Sequence, residues 1–387
     1  MRPHPPISYG HQNITDEDIQ AVVETLRSDY LTQGPKLAEF EQDFAQKVGA
    51  KYAVAVCNGT AALHLSAMAL NVHDGDNVIV TSLTFAASAN CIRYCGGNVC
   101  FCDIDKENYL IDLNKLEAML TTHPQGYYKG IVPVDFAGYP IHAEKLKALA
   151  DQYHLWVIED ACHAPGAYFI DSKGNKQLAG NGTFADLTCF SFHPVKHIAT
   201  GEGGMVTTNN KELYDKLCLY RTHGITRNPE LMHENHGGWY YEMVELGFNY
   251  RMTDFQAALG ISQLKRLDWS LQRRQEIAGK YNDAFKDIPQ IKTPEVAKEV
   301  YHAYHLYVIQ IEKRKELFDY LRNLNIFVQV HYEPVHLMPY YKNWGNKAGD
   351  LPIVEEYSQH CLSLPMYPTL TDEEQDWVIE KMKEFVK

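Results

Sequence analysis

Near the start of the chain, apolar residues recur at helical spacing in two runs. TDEDIQAVVETLRSD opens with a capping-box pattern, Thr15 to Asp18, and predicts one helix. PKLAEFEQDFAQKVG predicts a second: Pro35 sits at its start, Leu37, Phe40, Phe44 and Val48 share a face, and Gly49 stops it. The turn-rich DYLTQGP lies between them. Short apolar runs then alternate with helical ones. YAVAVC, NVIVT, NVCFCDI, GIVPVDF and LWVIED read as strands, and GTAALHLSAMAL, AASANCIRYC and AEKLKALADQYH as helices. LTCFSFH and GGMVTTN add two strands, and the alternation stops near residue 210. Such a pattern predicts βαβ units and a mostly parallel sheet covered on both faces.

From residue 254 the pattern is one long helix, TDFQAALGISQLKRLDWSLQRRQEIAGKYNDAF, followed by HLYVIQI and IFVQVHY as strands. This predicts a large α/β domain over residues 1–265 and a smaller C-terminal α+β domain over 266–387. A chain of 387 residues is long enough for two such units.

Composition narrows the function. A net charge of −13 argues against a nucleic-acid surface, but leaves room for an anion site built from backbone N–H groups. No apolar run approaches the roughly 20 residues of a membrane span. MRPHPPISYG lacks the apolar region of a signal peptide. Nine cysteines, an odd number with no CxxC pair, suit a reducing compartment, so a cytoplasmic location is expected. The spacing of Cys91, Cys95, Cys100 and Cys102 fits no usual zinc pattern and reads as small apolar packing, with no metal expected.

In open α/β sheets, ligands bind beyond the carboxyl ends of the strands. After YAVAVC, Asn58-Gly59-Thr60 opens a helix, either as an anion site or as an ordinary turn and cap. After NVIVTSLT comes Phe85, which either stacks on a planar ring or is core. Glu159 and Asp160 end LWVIED, with His163 just beyond. A strand-end carboxylate is expensive unless paired, with a protonated ring nitrogen or a structural cation, or used as a cap. Ser191 follows LTCF, and SFHPVKHIATGEGG then carries one amine, Lys196, just before three glycines. Taken in order, these features describe a site for a planar aromatic aldehyde phosphate with a basic ring nitrogen, which is pyridoxal 5′-phosphate (PLP). His193 and His197 flank the lysine and read as packing or hydrogen-bonding residues rather than a second acid–base pair.

LTQGP (31–35), NGTAALHL (58–65), TFAASAN (84–90), EDACHAPGA (159–167), SFHPVK…TGEGG (191–204) and LGFNYRMTDFQAALG (246–260) occur in that order. In these motifs the chain resembles the DegT/DnrJ/EryC1/StrS nucleotide-sugar aminotransferases, which have the PLP-dependent aspartate-aminotransferase (type I) fold. The resemblance implies that Lys196 forms the covalent link to PLP and shuttles protons, and that Asp160 pairs with the pyridine nitrogen. It implies that Gly59, Thr60 and Ser191 hold the phosphate, that Phe85 flanks the ring and that His163 lies near the cofactor. Asn249 would reach the phosphate of a neighbouring subunit, which implies a homodimer with shared active sites.

YGHQNIT, DYLTQG and VQVHYEPVHLMPYY (328–341) resemble the branch of that family acting in pseudaminic acid biosynthesis. This implies transfer of the amino group of L-glutamate, leaving 2-oxoglutarate, to C4 of a UDP-linked 4-keto-6-deoxy-N-acetylhexosamine. Tyr9, Asp29, Tyr30, Leu31, Thr32, His331, Tyr332, Glu333 and Pro334 would line the UDP-sugar pocket, although HYEP on its own also reads as a surface turn. A perosamine-type C4 or a C3 aminotransferase fits the core motifs equally well. A related sugar dehydratase would carry His where Lys196 stands. A non-catalytic PLP-binding regulator lacks any helix-turn-helix or basic tract, and a nicotinamide dehydrogenase lacks GxGxxG after the first strand.

Overall fold

Ten strands carry the first 210 residues of the computed structural model, which describes residues 5–387; the first four residues of MRPHPPISYG lie outside it. They are β1 (Ile7–Ser8), β2 (Tyr52–Val56), β3 (Asn77–Thr81), β4 (Asn98–Cys102), β5 (Tyr128–Val132), β6 (Trp156–Asp160), β7 (Tyr168–Ile170), β8 (Lys176–Leu178), β9 (Leu187–Ser191) and β10 (Gly204–Thr208). Seven of them form the central sheet in the order β2-β10-β9-β6-β5-β3-β4. Only β10 runs antiparallel, to β2 on one side and β9 on the other. The other neighbours pair in parallel.

Val54, Ala55 and Val56 follow one another along β2 with no exposed surface, so both faces of the sheet are covered. On one face lie helices Gly59–Ala69 and Ala86–Tyr94, contributing Leu63, Leu65 and Ile92. On the other, Phe40 and Phe44 of helix Pro35–Val48 meet Phe190 and Phe192; the Phe44 and Phe190 rings lie edge to face at 4.9 Å. Helix Asp254–Lys265 closes that layer with Ala257 and Ile261.

The long helix expected from residue 254 is two helices, Asp254–Lys265 and Leu267–Phe285, broken at Arg266 (φ −103°, ψ 5°). The Arg266 side chain is drawn to Asp18, whose Oδ2 accepts from its Nη2 at 2.5 Å. The apolar periodicity runs through this break and does not mark it. HLYVIQI yields the strand Tyr307–Gln310, paired antiparallel with Cys361–Leu364. Of IFVQVHY only Ile326–Phe327 is a strand, and it pairs in parallel with β1. Ile7, from the expected 1–265 unit, is therefore packed into the C-terminal core with Tyr281, Tyr307, Leu317 and Ile326.

No helix among the described residues is long and apolar enough to cross a membrane. Cys91 and Cys102 are buried, and burial pushes the Cys95 and Cys100 thiols up to about 11.

Candidate active site

A cavity of about 460 Å³ lies at the carboxyl ends of β2, β6 and β9. Gly59, Thr60, Phe85, Asp160, His163, Ser191 and Lys196 all border it, as do Tyr9, His331 and Tyr332 from the opposite side. The sheet gathers the first group because each follows a strand that ends at the same edge.

Helix Gly59–Ala69 starts directly after β2, and Asn58 caps it by accepting the Ala61 N–H at 2.8 Å. The N–H groups of a first helical turn have no partners within the helix and favour an anion. Gly59 stands against Ser191: a Cβ there would be 2.9 Å from Ser191 Cβ and 3.2 Å from its Oγ. A Cβ on Gly204 would sit 2.5 Å from Asn58 O. The cradle therefore requires glycine on two sides, and its size and donors suit a phosphate group.

Alternation along β6 separates its two terminal acids. Glu159 turns away from the cavity and accepts from Thr188 Oγ1 (2.7 Å) and Gly180 N (3.2 Å). Asp160 borders the cavity and is 5% exposed. Its Oδ1 accepts from Cys162 N (3.1 Å) and its Oδ2 from Ser88 Oγ (2.5 Å). Among the described residues no cationic side chain forms an ion pair with it, so a buried carboxylate faces the cavity ready for a positive partner such as a pyridinium.

Lys196 keeps some surface toward the cavity but is ringed by protein. Burial pushes its amine down to about 8, against the upward pull of Cys162 and Asp160. Its Nζ lies 3.3 Å from His305 Nε2. His163 is held below the usual imidazole range by burial and by the nearby Lys196 charge. Its Nδ1 accepts from Ala137 N (3.2 Å), so its Nε2 carries the hydrogen, toward the Tyr332 hydroxyl at 3.2 Å. His331 approaches the Tyr9 ring at 5.3 Å, and its Nδ1 lies 2.8 Å from Ser363 Oγ. Phe85 is not core: it is 62% exposed, 6.3 Å from the Tyr332 ring.

Several expected residues do not border this cavity. Tyr30 lines a separate groove with Pro35 and Lys36, and Asp29 is exposed. Leu31 O accepts the Asp254 N–H, and Thr32 bridges Thr253. These bonds hold the 29–32 segment against the start of helix Asp254–Lys265. Asn249 is exposed and bridges Thr222. Glu333 points outward, 3.9 Å from Arg314, and Pro334 is buried as the cap of the turn Val335–Leu337. Of the histidines beside Lys196, His193 borders the cavity, while His197 is buried and donates through Nε2 to Ala303 O (2.8 Å).

Sequence reasoning missed Ser88 and His305. Ser88 lies inside TFAASAN, in the first turn of helix Ala86–Tyr94, where a small hydroxyl residue could have been flagged as a partner for a strand-end carboxylate. His305 sits in YHAYHLYV, and its only signal is the local density of histidine.

The model of the DegT/DnrJ/EryC1/StrS aminotransferase family matches residues 12–383. The spore coat polysaccharide biosynthesis protein SpsC of Bacillus subtilis is 42% identical over 389 residues, covering 98% of this chain and 97% of that protein. The UDP-4-amino-4,6-dideoxy-N-acetyl-beta-L-altrosamine transaminase of Campylobacter jejuni is 40% identical over 341 residues, covering 87% of this chain and 86% of that enzyme. Among solved structures, the PLP form of the putative sugar aminotransferase Spr1654 from Streptococcus pneumoniae superposes with a TM-score of 0.88 at 29% identity, covering 98% of each chain. With these likenesses spanning nearly its whole length, the chain belongs to the DegT/DnrJ/EryC1/StrS aminotransferase family.

Proposed function

We propose that this PLP-dependent nucleotide-sugar aminotransferase moves the amino group of L-glutamate to C4 of a UDP-linked 4-keto-6-deoxy-N-acetylhexosamine, as in pseudaminic acid biosynthesis. The observation that carries this reading is that Tyr9, His331 and Tyr332, from the terminal segments resembling that branch, share one cavity with Lys196 and Asp160. The similarity to the altrosamine transaminase supports it.

PLP, when bound, supplies an aldehyde that takes up and releases the amino group, and a ring that draws electrons from the reacting carbon. The protein does the rest. Gly59, Thr60 and Ser191 would hold the phosphate, and Asp160 would keep a proton on the ring nitrogen. Phe85 would flank the ring, and His163 would lie near it, its Nε2 hydrogen directed to the Tyr332 hydroxyl. Lys196 would anchor the cofactor covalently and, once free, would move protons through Nζ. Its neutral amine takes one from the α-carbon of L-glutamate, whose carbon skeleton leaves as 2-oxoglutarate, and in the second half-reaction it delivers one to C4 of the sugar. Such a positioned base typically contributes about 10²- to 10⁴-fold. Burial keeps the amine poised for this by lowering its proton affinity.

The cavity draws on both proposed units, residues 1–265 for the phosphate cradle and 266–387 for His305, His331 and Tyr332. A second copy of the chain, in a homodimer, supplies Asn249 to the phosphate and residues 29–32 to the sugar pocket. Their exposure, away from the cavity of their own chain, supports that arrangement. The second reading is another nucleotide-sugar C4 or C3 aminotransferase, perosamine-type included. It is favoured by the likeness to the GDP-perosamine synthase of Escherichia coli O157:H7, 34% identical over 377 residues and covering 96% of each chain.

Purified protein incubated with L-glutamate and a panel of UDP- and GDP-linked keto sugars decides between them. A C4-aminated UDP sugar, identified by mass and NMR, is expected. Turnover of GDP-linked or 3-keto sugars alone would overturn the first reading.

A further inference from the structure

His305 reaches the reactive amine from 109 residues further along the chain. Its Nε2 lies 3.3 Å from Lys196 Nζ, and its ring is buried 4.4 Å from that of His163 and 5.9 Å from that of His197. The backbone that carries it is tied down on several sides. Leu306 N donates to Ala137 O (3.2 Å), Tyr304 N donates to His302 Nδ1 (2.8 Å), and the buried Arg274 donates through Nη1 to Tyr304 O (2.9 Å) and His305 O (3.4 Å). The imidazole is thus delivered to Lys196 by a fixed segment.

The surroundings decide where the hydrogens lie. Burial, then the charge of Lys196, pushes His305 well below the usual imidazole range, so its ring is neutral near pH 7. Lys196 holds its proton up to about pH 8. An ammonium has only donors, so it bonds to an imidazole nitrogen only where that nitrogen offers a lone pair. His305 Nδ1 is buried with no hydrogen-bond partner among the described residues, so nothing on that side sets the tautomer. The other groups facing the amine are Asp160, which favours its charge, the Cys162 thiol, kept neutral by burial, and the neutral imidazoles of His163, His197 and His331. Tyr332 stays a phenol because burial raises it.

We propose that His305 is a positioning residue for Lys196: its Nε2 accepts a hydrogen bond from the Nζ ammonium and holds the amine in the cavity between proton uptake and proton delivery. This rests on the proton-carrying role given to Lys196 above. The proton stays on Nζ throughout, and His305 gains no charge. A hydrogen bond to the charged form favours that form. His305 therefore offsets part of the burial effect and keeps the amine from losing its proton too early.

The test uses the full-length chain freed of cofactor. Lys196 is acetylated with acetic anhydride across a pH series, and its labelling is read by mass spectrometry. The wild-type midpoint is expected near pH 8. In His305→Leu it falls by about one pH unit, leaving roughly tenfold more reactive amine on the acid side. His305→Gln, whose amide oxygen accepts a hydrogen bond, restores the midpoint. An unchanged midpoint in His305→Leu, or one as low in His305→Gln as in His305→Leu, overturns the proposal. Should His305→Leu not fold, ¹⁵N-histidine NMR of the wild-type chain below pH 8 settles the matter. Hydrogen on Nδ1 of His305 supports the proposal, and hydrogen on Nε2 overturns it. Neither readout needs PLP or a sugar, so failure of the proposed reaction leaves this result interpretable by itself.

Discussion

Ser88 donates its hydroxyl hydrogen to Asp160 Oδ2 across 2.5 Å, from a position 72 residues earlier in the chain. Thr84 Oγ1 lies 2.6 Å from the same hydroxyl, and Cys162 N holds the other carboxylate oxygen. Asp160 is therefore fixed in its plane by donors from two segments. Ser88→Ala removes one of them, a charge-assisted bond worth about 1.5–3 kcal/mol. Turnover is expected to fall about tenfold or more, with little change in KM for L-glutamate, in steady-state kinetics. Wild-type turnover would show that the serine merely fills space.

Lys196→Ala is expected to abolish transamination and the absorbance of the lysine–cofactor link, while the fold is retained by circular dichroism. Borohydride should fix a pyridoxyl adduct at residue 196 in the wild type only. An adduct elsewhere, or full turnover in the variant, rejects the assignment.

Folding lowers the Lys196 amine from 10.5 to about 8. Between these values the unfolded chain binds the extra proton, so in the cofactor-free chain this group makes stability rise with pH across that window. His302 and His331 are lowered by burial from 6.5 to about 3, so stability falls as pH drops from 6.5 toward 3. Denaturant titrations at several pH values check both. The activity limb carried by neutral Lys196 should rise with pH, and a flat kcat profile between about pH 7 and pH 9 would contradict it.

Gly59→Ala places a methyl group 2.9 Å from Ser191 Cβ, inside the phosphate cradle. PLP affinity, read by fluorescence titration, is expected to weaken roughly tenfold or more, since an ordered anion contact is worth about 1.5–3 kcal/mol. Affinity for pyridoxal, which lacks the phosphate, should change far less.

How much of this was legible in the sequence depends on distance along the chain. The βαβ alternation and the groups at the strand ends were readable because each residue is placed by its own strand. Lys196, Asp160, Gly59 and Ser191 come together for that reason. Ser88 and His305 were not readable, because each acts on a residue far away in sequence, through a contact that only packing creates. The break at Arg266 escaped because no glycine or proline marks it, while the Arg266 side chain bonds to Asp18, far away in sequence. The strand Cys361–Leu364 escaped because four residues give too little alternation to count. Residues 29–32 and Asn249 carry recognisable motifs, yet their own bonds hold them off this chain's cavity.

The reversed direction of β10 has one more effect. The Lys196 segment leaves β9 and comes back in the strand beside it, with Phe192 N bonded to Gly203 O (2.8 Å) and Thr200 N to Phe192 O (3.0 Å). A same-direction return would have carried the chain over to the far rim of the sheet. Here the departure and the return share a rim, and the main chain under the amine is clamped at both feet. The amine's travel between donor and acceptor is thereby left to rotation of four methylenes.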